Sequence, residues 1–385
     1  MEIGMKKALM LASVASMIEK FNMNNIEILE NEGYIVDVAA NFEFGLVSSK
    51  EHVDNFKQEL LKSGKTVHEL SIPRGISNIS AIISAYKKVK LICDKNKYDI
   101  IHCHSPIGGV IARLAARKSR KNGTKVIYTA HGFHFFKGAP LKNWLIYFPI
   151  EWICSFVTDV LITINSEDYN FAKKHMHAKK VEYVPGVGID TKKINSIEID
   201  RDKKREELGI PKDNIAVLSV GEISHRKNHE AVINALAKLN NPKIHYYIVG
   251  TGILKEKLIN LVAKLQLEEY VHFMGYRTDI YELCKACDIF CFPSLQEGLP
   301  VALMEAKSAG MPVVCSKIRG SVDLLDSKGG RMCLPKDVNS LAENIEVLAN
   351  NEKLRWQMGK YNKKAVINFD IKNVQTFMQK IYERV

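Results

Sequence analysis

No run of the 385 residues is long and uncharged enough to span a bilayer as a helix, which argues against a helical integral membrane protein. No segment is of low complexity and no short repeat recurs, so disordered-linker and solenoid classes fall away. No secretory leader is evident: residues 8 to 18 are apolar, but they are short and read as a first strand and turn. A third glycine is missing after Gly250-Thr251-Gly252, which counts against a nicotinamide dehydrogenase. The eight cysteines stand at 93, 103, 154, 284, 287, 291, 315 and 333. Cys284, Cys287 and Cys291 mimic metal spacing, yet they run from a helix into a strand and have no second ligand pair. Buried free thiols in a reducing cytosol are therefore expected, with no metal. The chain also lacks a basic tail. Its 55 Lys and Arg against 43 Asp and Glu give +12, spread along the whole length, with a pI near 9.1. No nucleic-acid-binding module accompanies that charge, so nucleic acid is not expected as a partner. Acidic substrates and anionic lipid surfaces suit the charge equally.

What is present is ordinary globular material: 46% hydrophobic and 25% charged residues, enough for two domains. Strands are expected at 6 to 14, 34 to 40, 66 to 70, 99 to 104, 125 to 130 and 159 to 164. Helices are expected at 19 to 32, about 77 to 96 and about 107 to 121. Val184 to Asp190 closes this half, and a linker is placed at the start of the polar stretch 191 to 213. A second unit opens with Ala216 to Gly221 and continues with strands at 244 to 249, 271 to 273, 288 to 292 and 312 to 315. A helix at about 338 to 350 closes it, and 370 to 385 reads as an amphipathic helix. Alternation with short connections implies open parallel sheets covered by helices, with ligands at the C-terminal strand ends.

The most informative stretch runs from Pro293 to Pro312, between two apolar strands. Leu299, Leu303 and Ala306 carry a helical spacing. Pro300 suits a first turn, and Gly310 before Pro312 suits the stop. Glu297 precedes the helix and Glu305 lies about two turns on, a rise of about 12 Å that returns to nearly the same face. Free N–H groups at 298 to 301 would favour an anion between them. Carboxylates at both ends and a phosphate site in the middle describe a sugar nucleotide, although a surface helix with two solvated glutamates would show the same letters. A second loop, Gly221-Glu222-Ile223-Ser224-His225-Arg226-Lys227-Asn228, also leads from a strand end into a helix. Arg226 and Lys227 place two cations where a diphosphate could sit.

The first half offers histidines. His102 and His104 end one strand, and His131-Gly132-Phe133-His134 ends another. A metal reading is weakened because His102 and His104 share one face without an obvious carboxylate or thiolate partner. Residues 141 to 157 are rich in large apolar side chains, interrupted by Pro149 and Glu151. A core helix is the favoured reading, with a patch touching membrane or lipid carrier as the alternative. Arg113, Arg117, Lys118, Arg120 and Lys121 crowd the end of the preceding helix, where they also complement its dipole.

The stretch at 293 to 312 closely resembles the E-x7-E motif of retaining glycosyltransferases with the GT-B fold, especially glycosyltransferase family 4. The flanking P-S-x-x-E-G-x-P and A-x-x-x-G-x-P-V match too. The loop at 221 to 228 resembles the family's G-R-x-x-x-x-K-G. Lys227 falls on the lysine, Glu222 stands at the arginine position and Asn228 at the second glycine, so Arg226 is assigned the arginine's work. Thr129 to Phe135 resembles the N-domain histidine loop of family-4 enzymes from polysaccharide pathways. A Gly-Gly pair found in many members is missing near residue 14, where Ser13 to Met17 stand.

The resemblance implies an α/β GT-B fold: two Rossmann-like domains facing each other across a cleft. An acceptor-binding domain would span 1–190, a nucleotide-sugar-binding domain 191–369, and a terminal helix at 370–385 would return to the first. It implies a UDP-sugar donor, no cofactor and no metal. Arg226 and Lys227 would stabilise the leaving diphosphate, Glu305 would hold the ribose, and Glu297 would hold the donor sugar. His131 would approach that sugar, and His134 would be structural or line the acceptor cleft. Gly221, Gly250, Gly252, Tyr276 and Arg277 would lie beside the nucleotide, with Gly298, Leu299 and Pro300 at the phosphates. The acceptor would be a glycan, polyprenyl-diphosphate-linked, in surface-polysaccharide assembly by a cytoplasmic protein at the inner membrane face. A sugar-nucleotide epimerase of the same fold and a non-catalytic sugar-nucleotide-binding subunit are the alternatives.

Overall fold

Apolar and β-branched runs form two all-parallel sheets in the computed structural model, which describes residues 5–43, 49–73 and 75–385. The first sheet contains β1 (Lys6–Val14), β2 (Tyr34–Asn41), β3 (Val67–Glu69), β4 (Ile100–His104), β5 (Lys125–Ala130), β6 (Val160–Thr163) and β7 (Lys180–Tyr183). Its order is β3-β2-β1-β4-β5-β6-β7. The second contains β8 (Ile215–Val220), β9 (Ile244–Val249), β10 (Val271–Gly275), β11 (Ile289–Phe292), β12 (Val313–Ser316) and β13 (Gly330–Cys333), in the order β10-β9-β8-β11-β12-β13. Both orders reverse direction beside their first strand, between β1 and β4 and between β8 and β11. In doubly wound sheets that reversal leaves a crevice at the strand C-termini, where ligands bind.

Contacts divide the chain into Met1–Val187 with Lys372–Val385, and Gly188–Ile371. The N-terminal unit buries apolar residues on both sheet faces. One face gathers Leu9, Leu11, Ile101, Val126 and Tyr128, and the other Met10, Val38, Ile127 and Ile162. Val374, Met378, Ile381 and Tyr382 of the last helix, Ile371–Glu383, join the second of these clusters. In the C-terminal unit Ile189 pairs with Asp370 and the Thr191 hydroxyl donates to the Asp370 carboxylate, so the outgoing and returning segments lie side by side. The stretch expected as a linker carries two short helices, Thr191–Ser196 and Arg201–Glu207.

Other departures from the sequence reading have local causes. The helix expected over 19 to 32 is two, Ala15–Phe21 and Met23–Asn31. Between them the Asn22 side chain donates to the Met17 carbonyl, the competition with the helical ladder that asparagine favours. The helix at 107 to 121 likewise breaks at Ala116 into Pro106–Ala115 and Arg117–Lys121. Lys50–Lys62 forms a helix that periodicity would have found: Ser49 caps it, and Val53, Phe56 and Leu60 are its buried face. Beyond Val338–Ala349 the chain adds another helix, Glu352–Ala365. All eight cysteines are free and buried, and burial pushes the Cys287 thiol up to about 12. No described helix is long and apolar enough to cross a membrane.

Candidate active site

Two loops leave the reversal point of the second sheet, one from β8 and one from β11, and hydrogen bonds join them. The Leu295 N–H donates to the Arg226 carbonyl at 2.8 Å, and the Asn228 side chain donates to the Pro293 carbonyl at 3.1 Å. Asn228 sits at φ +55, the left-handed region that asparagine tolerates better than other residues with a side chain. That conformation explains how it occupies the second-glycine position of the loop.

With the loops joined, three charged side chains meet. Arg226 Nη1 and Lys227 Nζ both donate to Oε1 of Glu297, each at 2.8 Å. Lys227 and Glu297 are largely covered, at 12% and 8% side-chain exposure, whereas Arg226 is 43% exposed. The Lys227 ammonium also lies 4.5 Å from the centre of the Phe292 ring. Burial pulls its pKa below the ordinary lysine value, and Arg226 adds to that pull while Glu297 opposes it. Two cations share one carboxylate oxygen in a partly desolvated place, so their remaining donors favour an anion.

Backbone packing needs the glycines here. A Cβ on Gly221 would stand 3.1 Å from the Lys227 stem. One on Gly250 would fall 1.9 Å from the Gly221 carbonyl oxygen, and one on Gly252 2.3 Å from that of Ile223. Gly250 and Gly252 thus let their loop lie against the cation loop. The helix Val301–Ser308 begins one residue after Pro300, which is its N-cap residue. Only the second half of the interval between the two glutamates is therefore helical, and a full eight-residue helical rise does not separate them. Pro300 has no N–H to offer, so the donors at this end are the amides of Gly298, Leu299 and Val301. Among the described residues those of Gly298 and Leu299 meet no acceptor. On the same helix, Glu305 accepts from the Tyr281 hydroxyl at 3.1 Å, and burial raises its carboxyl above the usual range.

Two contributors went unnoticed in the sequence. Arg319 is buried and its Nε donates to the Glu297 carbonyl at 3.1 Å, fixing the backbone that aims the carboxylate. Tyr281 orients Glu305. Neither stands in a motif. Of the residues expected beside a base, Tyr276 is 66% exposed. The Arg277 guanidinium is engaged in a fork on Asp279, with Nε 2.8 Å from Oδ1, and Lys204 reaches the same carboxylate.

The N-terminal unit is different at its reversal point. β1 passes straight into the helix Ala15–Phe21, so no loop stands where a Gly-Gly pair would be. Ser13 is instead tied to β4's exit: its N–H donates to Ser105 Oγ at 2.9 Å, and its Oγ accepts from the Gly108 N–H at 2.9 Å. Ser105 takes φ +64, a strained value for serine. The histidines form two pairs of contacts. His102 lies between Tyr382 and Thr129, at 2.7 and 2.8 Å, and His104 Nδ1 is 3.1 Å from His131 Nε2. Burial lowers His102 to about 3 and His131 to about 4, so both rings are neutral at physiological pH. The His134 ring lies tilted against that of Tyr147, 4.6 Å between centres. No three metal-ligating side chains converge among the described residues.

Comparison with known proteins supplies the family. Residues 9–165 match the description Glycosyl transferase 4-like, and residues 200–365 match Glycosyl transferases group 1. The Bacillus subtilis protein named "Putative glycosyltransferase EpsD" is 33% identical over 383 residues, covering 98% of this chain and 96% of that one. An Escherichia coli UDP-Gal:alpha-D-GlcNAc-diphosphoundecaprenol alpha-1,3-galactosyltransferase is 28% identical over 372 residues, 93% of this chain and 91% of its own. Among solved structures, Anabaena HepE in complex with UDP superposes with a TM-score of 0.77 at 18% identity, over 99% of this chain and 100% of that one. With its two parallel sheets and its matched halves, the chain belongs to the glycosyltransferases of the GT-B fold.

Proposed function

We propose that the protein is a retaining, metal-independent glycosyltransferase. It moves a hexose or N-acetylhexosamine from a UDP-sugar to a polyprenyl-diphosphate-linked glycan during surface-polysaccharide assembly. The observation that carries this reading is the sharing of Glu297 between Arg226 and Lys227 at the reversal point of the second sheet. A diphosphate entering there would draw both cations away from Glu297, favour the charged form of Lys227 that burial disfavours, and free the carboxylate for hydroxyls of the donor sugar. Fixed cations facing the charge that grows on the leaving diphosphate would supply what a divalent ion supplies elsewhere. The unpartnered amides of Gly298 and Leu299 add donors. Glu305, held by Tyr281, is assigned to the ribose hydroxyls, and His131 to the donor sugar as a neutral imidazole.

The acceptor class is supported by relatives. Besides the galactosyltransferase, a Campylobacter jejuni N,N'-diacetylbacillosaminyl-diphospho-undecaprenol alpha-1,3-N-acetylgalactosaminyltransferase is 28% identical over 229 residues, 58% of this chain and 60% of its own. A surface suited to such substrates lies on the helix Leu141–Ser155. Trp144, Tyr147 and Phe148 pack inward, while Leu141, Leu145, Ile146 and Ile153 are exposed, the first two at 72% and 69%. The core-helix reading of this segment thus accounts for only one of its faces. We assign the outer face to the membrane surface at which a lipid-linked acceptor waits.

The test is UDP release from a panel of UDP-hexoses, with and without a bacterial polyprenyl-lipid extract, in EDTA. The expected result is release from one donor that depends on the extract. Release only after a divalent ion is restored would overturn the metal-independent mechanism, and UDP binding without release from any donor would favour a non-catalytic subunit.

A further inference from the structure

The N-terminal unit contains a cavity of about 240 Å³ that the proposed chemistry leaves unused. Ile82, Ile107, Val110, Phe133, Tyr147 and Ile150 are among its lining residues. Glu151 also borders it, but both of its carboxylate oxygens are taken. Arg113 donates to Oε2 at 2.8 Å and the Tyr128 hydroxyl to Oε1 at 3.1 Å. Arg113 itself is buried, with its guanidinium 3.8 Å from the centre of the Tyr128 ring and its Nε on the Gly109 carbonyl. The cavity therefore offers no free charge, and a nucleotide, phosphate or sugar placed in it would lose its hydration without compensation. Only hydrocarbon suits such a lining.

Two placements narrow the occupant. Ile76 lines the cavity and is itself exposed, as are Ile79 and Ile83 close by in the chain. Gly132, Phe133 and His134, the residues that directly follow His131, also line it. A chain lying in the cavity would thus touch both an exposed apolar residue and the histidine loop, beside which a polar head group could be held. The geometry points to an isoprenoid site: this cavity holds the first isoprene units of the acceptor's lipid carrier and so sets its diphosphate at the histidine loop. A cavity of ~150 Å³ accommodates benzene, so 240 Å³ suits about ten carbons, roughly two isoprene units. This inference rests on the lipid-linked acceptor of the proposed function and adds to it a site that reads the lipid.

Calorimetry with geranyl diphosphate, inorganic pyrophosphate and decyl diphosphate tests it on the full chain. Geranyl diphosphate is expected to bind at least tenfold more tightly than pyrophosphate. Filling the cavity in steps should remove that preference in steps, with Val110→Ile losing part and Val110→Phe losing most of it. An unaltered melting temperature in Val110→Ile guards against a folding artefact, and UDP affinity should be the same in both variants. Equal affinity for geranyl diphosphate and pyrophosphate would overturn the site, as would a preference that survives Val110→Phe. Decyl diphosphate binding as tightly as geranyl diphosphate would also overturn it, showing a general hydrocarbon slot. If the site fails while UDP release still depends on polyprenyl-lipid extract, the lipid-linked acceptor stands and only its lipid contact is wrong. If extract-dependent release is itself absent, the functional reading falls.

Discussion

The two sheets share their strand order and differ in what they set at its reversal. At the C-terminal unit's reversal two cations converge on one carboxylate oxygen, held by glycine-packed loops. At that of the N-terminal unit the loop is absent, Ser13 is tied to Ser105, and the nearby histidines are kept neutral by burial. The unit's remaining cavity is apolar. One architecture thus carries a pair of cations at one reversal and neutral histidines with an apolar cavity at the other, and the difference lies in a few loop residues. That division fits the proposed reaction, in which a diphosphate donor would need fixed cations and a lipid-borne acceptor a surface that tolerates hydrocarbon.

The comparison is broken most severely by removing the charge. Lys227→Ala should lower kcat/KM by about 10²- to 10³-fold, the usual cost of losing one donor to developing negative charge. Arg226→Ala should cost less, because that side chain is half exposed and water can partly replace it. Steady-state kinetics with the donor found by the UDP-release panel would check both, and a larger loss for Arg226→Ala would reverse the assigned roles. Next comes the packing beneath the cations. Gly250→Ala puts a methyl 1.9 Å from the Gly221 carbonyl at φ +145, and should cost about 3 kcal/mol in thermal or denaturant unfolding.

A smaller effect separates charge used for binding from charge that merely burdens the fold. Lys307, two residues after Glu305, is buried, and its ammonium meets the Leu324 carbonyl. Burial pulls it down to about 8. Between pH 8 and the ordinary lysine value of ~10.4 the unfolded chain binds more protons at this site, so stability should rise with pH across that window. Lys307→Met should remove this rise and stabilise the protein at pH 7 by about 1 kcal/mol. Melting curves at pH 7 and pH 9.5 would decide it. The smallest effect concerns Glu305: Tyr281→Phe deletes one hydrogen bond to it and should weaken UDP binding by about threefold to tenfold.

These outcomes also bear on what the sequence could tell. That Arg226, Lys227 and Glu297 meet was legible because they lie in short strings at the ends of neighbouring strands. The strand pattern was legible because buried parallel strands are short apolar runs between turn residues. Arg319 and Tyr281 were not, since each reaches its glutamate from another loop or helix and neighbours it only in the fold. The Arg277–Asp279 fork was hidden as well: Asp279 is two residues away, but only folded geometry shows the fork between them. The segment 141 to 157 is apolar on every side, so its periodicity could not show which face meets the core. The absent glycine loop near Ser13 became intelligible only once the Ser13–Ser105 contact was seen.

Charge for the nucleotide is assigned to the C-terminal unit, with none from the N-terminal histidines. Calorimetry of UDP binding to wild type, Lys227→Ala, Glu305→Ala and His131→Ala tests it most directly. At least a tenfold loss is expected for each of the first two variants, with the wild-type affinity kept by His131→Ala between pH 5.5 and 8. Unchanged UDP affinity in both Lys227→Ala and Glu305→Ala would contradict the assignment of the site.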